Sequence, residues 1–303
     1  MDWLFEFPEF LNVDTDAIDA AVRSFAVWAE DVLDVISGGL SALVNGIGWL
    51  LGHIPWPLLI LLVFVLGWKS KGNLRSGVLY AVLLALLGGV GYWDMMQTTL
   101  SIVLASVLIS LLLGLPIGIL LSSSDRANRI VRPVMDTMQT MPVFVYLIPA
   151  LLLFGLGNAS GVIATVIYAI VPVIRLTSLG IRQVDREVVE AAIAFGSTRF
   201  QAMFKVQIPQ ALPTIMTGVN QTLMMAMAMV VTCSMIGTRG LGMEVYEAVQ
   251  RVQIGRGLLS GISIVVLAVI LDRLTQGWFS KEGETRQKSV RDKTAGQDVV
   301  RRR

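Results

Sequence analysis

Seven stretches of this chain, at 50–68, 74–93, 95–121, 137–157, 159–175, 212–237 and 258–277, carry charged residues only at or near their ends. A helix needs roughly 20 apolar residues to cross a hydrocarbon core, within a range of about 17–25. No water is available there to satisfy backbone N–H and C=O groups, so a spanning segment must be a helix or a strand of a closed barrel. The runs are continuous rather than alternating, which excludes barrel strands. Composition agrees. Of 303 residues, 54% are apolar and 15% charged, where a soluble domain carries about a quarter charged. The sequence therefore predicts an all-α polytopic membrane protein with about seven transmembrane helices.

Lys and Arg collect on the cytoplasmic side of a membrane. With the amino terminus outside, the segments 69–75, 122–136, 175–211 and the tail from 273 face inward. They hold 3, 3, 5 and 9 basic residues, or 20 of 24. Only Arg23, Arg239, Arg251 and Arg256 fall outside. The reading is amino terminus out, carboxyl terminus in.

The chain divides into an external segment (1–49), two extra spans (50–93), a core (94–279) and a charged tail (280–303) expected to be disordered. Residues 35–54 are also uncharged, but their glycines, Asn45, Pro55 and Pro57 suit a segment lying along the interface rather than an eighth span. Ahead of it, Ile18, Ala21, Val22, Phe25, Ala29, Val32, Leu33 and Ile36 recur at helical spacing. Thr15 or Asp16 is the expected N-cap and Gly38–Gly39 the expected stop. Asp19, Glu30, Asp31 and Asp34 make the opposite face acidic. Such a helix serves as a brace for the bundle or a docking surface for an external partner. The acidic opening residues predict no cleavable leader.

Several functions are disfavoured. The span interiors lack Asp, Glu, Lys, Arg and His, the residues of proton relays and intramembrane catalysis. One cysteine, Cys233, and one histidine, His53, rule out a disulfide within the chain and a Cys- or His-rich metal site. No catalytic residue and no bound cofactor are expected. The segment "GTRGLG" (237–242) has glycines but no lysine and no preceding strand, so it reads as a loop turning back at the membrane surface rather than a phosphate cradle. No nucleic-acid partner is expected.

The least membrane-like piece is "EAAIAFGSTRFQAMFKVQIPQALP" (190–213). Residues 184–195 are helix-prone, with Val188, Ala191, Ala192 and Phe195 on one face. Gly196 then permits a φ > 0 turn. Ser197 or Thr198 caps a second short helix through Val206, which Pro209 and Pro213 are expected to end. The series Glu190, Ala191, Ala192, Gly196, Val206, Ile208, Pro209 resembles the "EAA" loop of the permease subunits of ATP-binding-cassette importers. From Asp94 to about Gln276 the chain is similar to permeases for glycine betaine, proline betaine and choline, through "QTTLSIVLASVLISLLLGLPIGIL", "RPVMDTMQTMPVFVYLIPALLLFGLGN", "GVNQTLMMAMAMVV", "RGLG" and "ILDRLTQ". Val206 and Ile208 are conservative departures from that loop.

That resemblance implies the five-helix core of type I importer permeases (MetI-like) in a bacterial inner membrane. It also implies a pair of permease copies, two cytoplasmic ATPase subunits that use ATP-Mg, and an external solute-binding protein. The coupling surface is then Glu190, Ala191, Ala192, Gly196, Arg199, Lys205 and Pro209. Import of another small zwitterion, such as an amino acid or carnitine, is the alternative within the class. A free-standing carrier or channel is the rival outside it. For the pathway, the polar residues Asn220, Gln221, Thr222, Thr232 and Ser234 of 212–237 would be costly against acyl chains and should face protein or a wet cavity. The methionines of that run either pack helices or form a weakly polar wall. Phe144, Tyr146, Phe154 and Tyr168 are the aromatic candidates for cation–π contact with a quaternary ammonium.

Overall fold

The computed structural model describes residues 14–301, with side chains described for all of these except residue 71 and residues 278–301. Residues 1–13, where no leader was expected, lie outside the described residues. The tail from 280, expected to be disordered, instead continues α13 as helix to Arg301.

Thirteen helices and one π-helical turn follow one another, with no strand among the described residues. They are α1 (Thr15–Trp28), α2 (Glu30–His53), α3 (Trp56–Lys71), α4 (Leu74–Gly89), α5 (Trp93–Ser123), α6 (Asp125–Thr140) and α7 (Phe144–Phe154). Then come α8 (Asn158–Arg182), α9 (Arg186–Ala194), α10 (Arg199–Ala202), the π turn (Met203–Gln207), α11 (Ile208–Ser234), α12 (Leu241–Gln250) and α13 (Ile254–Arg301).

The all-helical expectation holds, but the span count changes. Five helices are long and apolar enough to cross a membrane: α2, α5, α8, the continuous run Arg199–Ser234, and Ile254–Gly277. A sixth arises if α6 and α7 count as one span, but they meet at 99°. α3 and α4 are shorter apolar helices of 16 residues each. Prolines account for the differences. The run 137–157 is broken because Pro142 forces Met141 into an extended conformation (φ −66°, ψ 136°). Pro55 does the same to Ile54 (ψ 117°), so 50–68 is not one helix. Residues 35–53 instead belong to the 24-residue α2, which passes through Gly38–Gly39 without stopping and is capped by Ile54. A helical glycine costs only about 1 kcal/mol relative to alanine. At its start, the N-cap of α1 is Asp14, whose carboxylate accepts from the Asp16 and Ala17 amides, one residue earlier than expected.

α8 is the most enclosed of these spans and lies between α5 and α11. Small residues set its distance from both neighbours. A Cβ on Gly118 of α5 would stand 2.6 Å from Thr177 Cβ and 2.9 Å from the Ile174 carbonyl oxygen of α8. On the other side, a Cβ on Gly180 of α8 would meet Thr214 Cβ at 2.9 Å, and one on Gly218 of α11 would meet Leu176 Cβ at 3.0 Å. With no hydrophobic drive between helices in lipid, such close approach is what dispersion contacts and association depend on. At the end of the bundle opposite the 183–185 turn, Gly157 N–H donates to the Ile236 carbonyl (3.0 Å) and Arg239 N–H to Asn158 Oδ1 (3.1 Å), tying the α7–α8 turn to the α11–α12 turn. The "GTRGLG" segment does turn back: α12 packs on α11, with Gly242 against the Val230 carbonyl.

Gly118→Val should therefore force α5 and α8 apart. Overpacking costs of about 1–3 kcal/mol are typical, so the detergent-solubilised variant should melt several degrees below wild type. Gly89→Val, at a site with open space around its Cβ, should melt close to it.

Candidate functional site

The segment 186–201 stands out from the bundle, while Val184, Met203, Ile208 and Ala211 on either side of it pack with Ile181 and Ile215. α9 contains no buried residue and makes its contacts with α10 and the π turn. Its fold is nonetheless fully specified by local hydrogen bonds. Asp185 caps the start through Glu187 N–H (2.9 Å). At the end Ser197 N–H reaches the Ala192 carbonyl (3.1 Å) and Gly196 N–H the Ile193 carbonyl (2.9 Å), with Gly196 at φ +90°. This is the Schellman arrangement, which places its left-handed residue just past the helix and favours glycine there. Two residues later a capping box begins α10: Gln201 N–H donates to Thr198 Oγ1 (3.2 Å) and Thr198 N–H to Gln201 Oε1 (2.9 Å). A helix stop and a helix start thus share the segment 195–198, which makes a stiff corner rather than a slack loop. Thr198, not Ser197, is the cap.

Beyond the corner the structure departs from the expected short helix. Pro209 and Pro213 do not end it. α10, the π turn and α11 run on as one 36-residue stretch, Arg199–Ser234. Within the π turn Ile208 N–H reaches back five residues to the Met203 carbonyl, one more than in an α-helix. That local widening precedes Pro209, which occupies the first turn of α11, where its missing donor is tolerated. Pro213 lies inside α11, and the Thr217 hydroxyl donates to its carbonyl (3.1 Å). The corner is therefore joined directly to α11 and, through 183–185, to the end of α8.

Glu190, Ala191, Gly196, Arg199 and Lys205 are exposed, while Ala192 and Pro209 are half-buried. Alongside them stand residues absent from the sequence-based set. Phe200 is 72% exposed and Phe204 about half, their rings 4.5 Å apart. Phe195, recognised only as part of a helix face, is 92% exposed. Their signal was present in the sequence: three phenylalanines within ten residues of a segment too short to have a core of its own.

The pathway candidates separate. Asn220 turns toward α13, where its Nδ2 donates to Asp272 Oδ1 (2.8 Å); Gln276 donates to the same oxygen (2.7 Å). Thr222 is buried with no partner for its hydroxyl, and Ser234 is buried and donates to the Val230 carbonyl (2.9 Å). Gln221, by contrast, is exposed and Thr232 half-buried. They fall on one open stripe of α11 with Pro213, Thr217, Met224 and Ala228, continued by Met235 at its C-cap, spaced three to four residues apart. Thr217 was not among the candidates. Phe144 is exposed at the start of α7, whereas Tyr146 is buried, donates its hydroxyl to the Met138 carbonyl and meets Tyr168 edge-on at 5.9 Å. The four aromatics, with Phe154 half-buried, do not form a cage. The one buried charge among the described residues is Glu244 of α12, held by Arg256 Nε at 2.7 Å. No group of residues able to hold a metal ion occurs among the described residues.

On the basic surface around 122–136, α6 is clasped to α8. Asp125 takes a hydrogen bond from Arg182 (2.6 Å), and Asp136 pairs with Arg175. The Arg182 hydrogen bond and charge, with weaker help from Arg129 and Arg186, hold the Asp125 carboxyl below the usual carboxylate range. A depressed folded value means this contribution is complete above the ordinary Asp range and is lost as pH falls through the lowered value.

Comparison with known proteins places this architecture. Residues 110–279 match the family described as binding-protein-dependent transport system inner membrane component. The chain is 47% identical over 262 residues to a glycine betaine transport system permease protein of Bacillus subtilis, covering 86% of this chain and 92% of the relative. It is 46% identical to a glycine betaine/carnitine transport permease protein of Listeria monocytogenes, covering 93% of each. Against a glycine betaine/proline betaine transport system permease protein of Escherichia coli it is 44% identical, covering 86% of this chain and 73% of the relative. Among solved structures, the inward-facing MetNI methionine transporter aligns with a TM-score of 0.52 at 23% identity over 62% of this chain and 92% of that one. An amino acid ABC transporter aligns at 0.51 and 24% identity, over 66% and 97%. These structural likenesses speak to the fold alone. The chain belongs to the binding-protein-dependent family of ABC importer permeases, the inner-membrane components that work with an ATPase and a solute-binding protein.

Proposed function

We propose that this permease imports glycine betaine and related quaternary ammonium solutes, driven by ATP hydrolysis in a separate subunit that grips the 190–209 corner. The observation that carries the reading is the corner itself. It is exposed and apolar, rigidly built, and continuous with the two helices packed most closely in the bundle. In this reading the partner ATPase binds ATP-Mg and this chain binds none. The basic segments face the cytoplasm and the α11–α12 turn faces outward, toward the solute-binding protein. Phe195, Phe200 and Phe204 supply the apolar anchors that dominate protein interfaces. Glu190, Arg199 and Lys205 form the charged rim, and Gly196 sets the angle.

The open stripe of α11 is the wall of the solute path, completed by a second copy of the chain, and two ATPase subunits dock on the inner side. Thr217, Gln221 and Thr232 give it hydrogen-bonding groups, and Met224 and Met235 soft apolar ones. It offers no charge and no aromatic cage, which suits a conduit that must let its cargo go. The likeness to named betaine permeases at 44–47% identity supports the solute class.

Reconstituted with its ATPase and binding protein, the permease should take up labelled glycine betaine only when ATP is present. Unlabelled proline betaine, choline and carnitine should compete to graded extents, and an amino acid lacking the quaternary group should not. Uptake without nucleotide, or preference for such an amino acid, would refute the assignment.

Gln221→Leu should lower transport about tenfold with little change in the melting temperature, because the side chain is exposed and makes no contact that the fold needs. A loss of about 1–3 kcal/mol per missing polar partner sets that scale. Thr222→Val, buried between helices, should leave transport nearly unchanged.

A further inference from the structure

Two hollows flank Arg132 on α6. One, about 230 Å³, lies between α6 and α8 and is lined by Asn128, Arg132, Met135, Arg175, Ser178, Leu179 and Arg182. The other, about 640 Å³ and more open, runs along α6 past Asp125, Asn128, Arg129, Arg132 and Asp136. Arg175 and Arg182 already have carboxylate partners, and Arg182 also donates to the Leu121 carbonyl (2.7 Å). Arg132 makes no hydrogen bond or ion pair among the described residues. Across the two hollows, which share Arg132 and Asn128, the four guanidiniums of Arg129, Arg132, Arg175 and Arg182 stand with the two carboxylates of Asp125 and Asp136, an excess of two positive charges.

The groove is also amphiphilic. Met135 is buried at its base, and Leu179, 43% exposed, stands at its lip on a membrane-spanning helix. α6 has one apolar arc. Ala127, Val131, Met135 and Met138 on it pack against α5 and α8, while Ile130 and Val134 at its edge are left uncovered, Ile130 by 72%. A basic helix with an uncovered apolar edge is the pattern of a segment lying at the lipid headgroup level. Basic pockets between helices on the cytoplasmic side suit anionic headgroups.

We infer that the α6–α8 groove binds the phosphate of an anionic phospholipid. Arg132 is the free ligand, with Arg175, Arg182 and Asn128 around it, and the acyl chains leave over Leu179. The inference rests on the basic surface facing the cytoplasm. It assigns the groove to lipid rather than to the ATPase or to a second copy of the chain.

The purified full chain in detergent, titrated with phosphatidylglycerol and read by native mass spectrometry, tests this. Phosphatidylglycerol should bind and phosphatidylcholine should not. Arg132→Gln should weaken binding about fivefold, matching the roughly 1 kcal/mol that a membrane-surface cation contributes. Arg132→Lys should retain part of it, and Arg126→Gln, on α6 but outside the groove, should change nothing. Melting temperatures for each variant separate lost binding from lost fold, since Arg132 is exposed. Equal weakening by Arg126→Gln would mean diffuse surface charge and would overturn the site. So would equal binding of phosphatidylcholine. Displacement by free glycerol phosphate at the lipid's own concentration would make this a soluble-anion site and overturn the lipid assignment. A groove that takes up phosphatidylglycerol in the isolated chain but is closed to it in the assembled transporter would belong to a protein partner instead.

Discussion

The structure depends on how closely α8 is allowed to approach its neighbours. Gly118, Gly180 and Gly218 remove side chains where α5, α8 and α11 meet, so backbone lies against backbone and the three helices form one body. In lipid, where burying apolar surface against another helix gives no hydrophobic gain, this contact carries much of the association. It also decides what a force applied at the corner can do. α8 leads through 183–185 into α9, and α11 receives the corner through α10 and the π turn. Pushing the corner therefore moves the two helices that cannot slide freely past each other.

The corner is stiff for reasons internal to a dozen residues. A Schellman turn at Gly196 and a capping box at Thr198 satisfy the backbone groups that a helix end and a helix start would otherwise leave open. None of this needs the core, which is why the segment holds its shape while presenting Phe195 and Phe200 to solvent. The same continuity explains the prolines. A π turn ahead of Pro209 lets the helix widen once and continue, so α10 and α11 are a single rod.

The fold class and the corner were legible in the sequence because both are local. Uncharged runs announce spanning helices, and E-A-A, Gly, Ser-Thr announce a stop followed by a cap. Proline was legible as a breaker but not as a particular kind of break. Pro142 and Pro55 ended helices where continuity was expected, and Pro209 and Pro213 allowed continuity where ends were expected. The difference lies in the local backbone: a π turn precedes Pro209 and Pro213 sits within regular α11, whereas Met141 and Ile54 are held extended. Gly38–Gly39 misled in the same way, since a pair of glycines is a weak stop once apolar residues lie on both sides. On α11 the polar residues were found, but their faces were not. Asn220 and Gln221 are adjacent in sequence, yet one is bound to Asp272 and the other is open, a partition fixed by where α13 happens to pack. Of the exposed phenylalanines only Phe195 was read, as part of a helix face, because a helical face in sequence does not say whether anything packs on it.

The central claim is that the 195–198 corner is the grip through which an ATPase moves α8 and α11. Placing a photo-crosslinking amino acid at Phe195 in the assembled transporter tests it most directly. A crosslink to the ATPase subunit, strengthened or weakened by ATP and matched by none from the same probe at Val252 on the α12–α13 turn, is the predicted result. A crosslink to the solute-binding protein, or to no subunit while the complex remains intact, would contradict it.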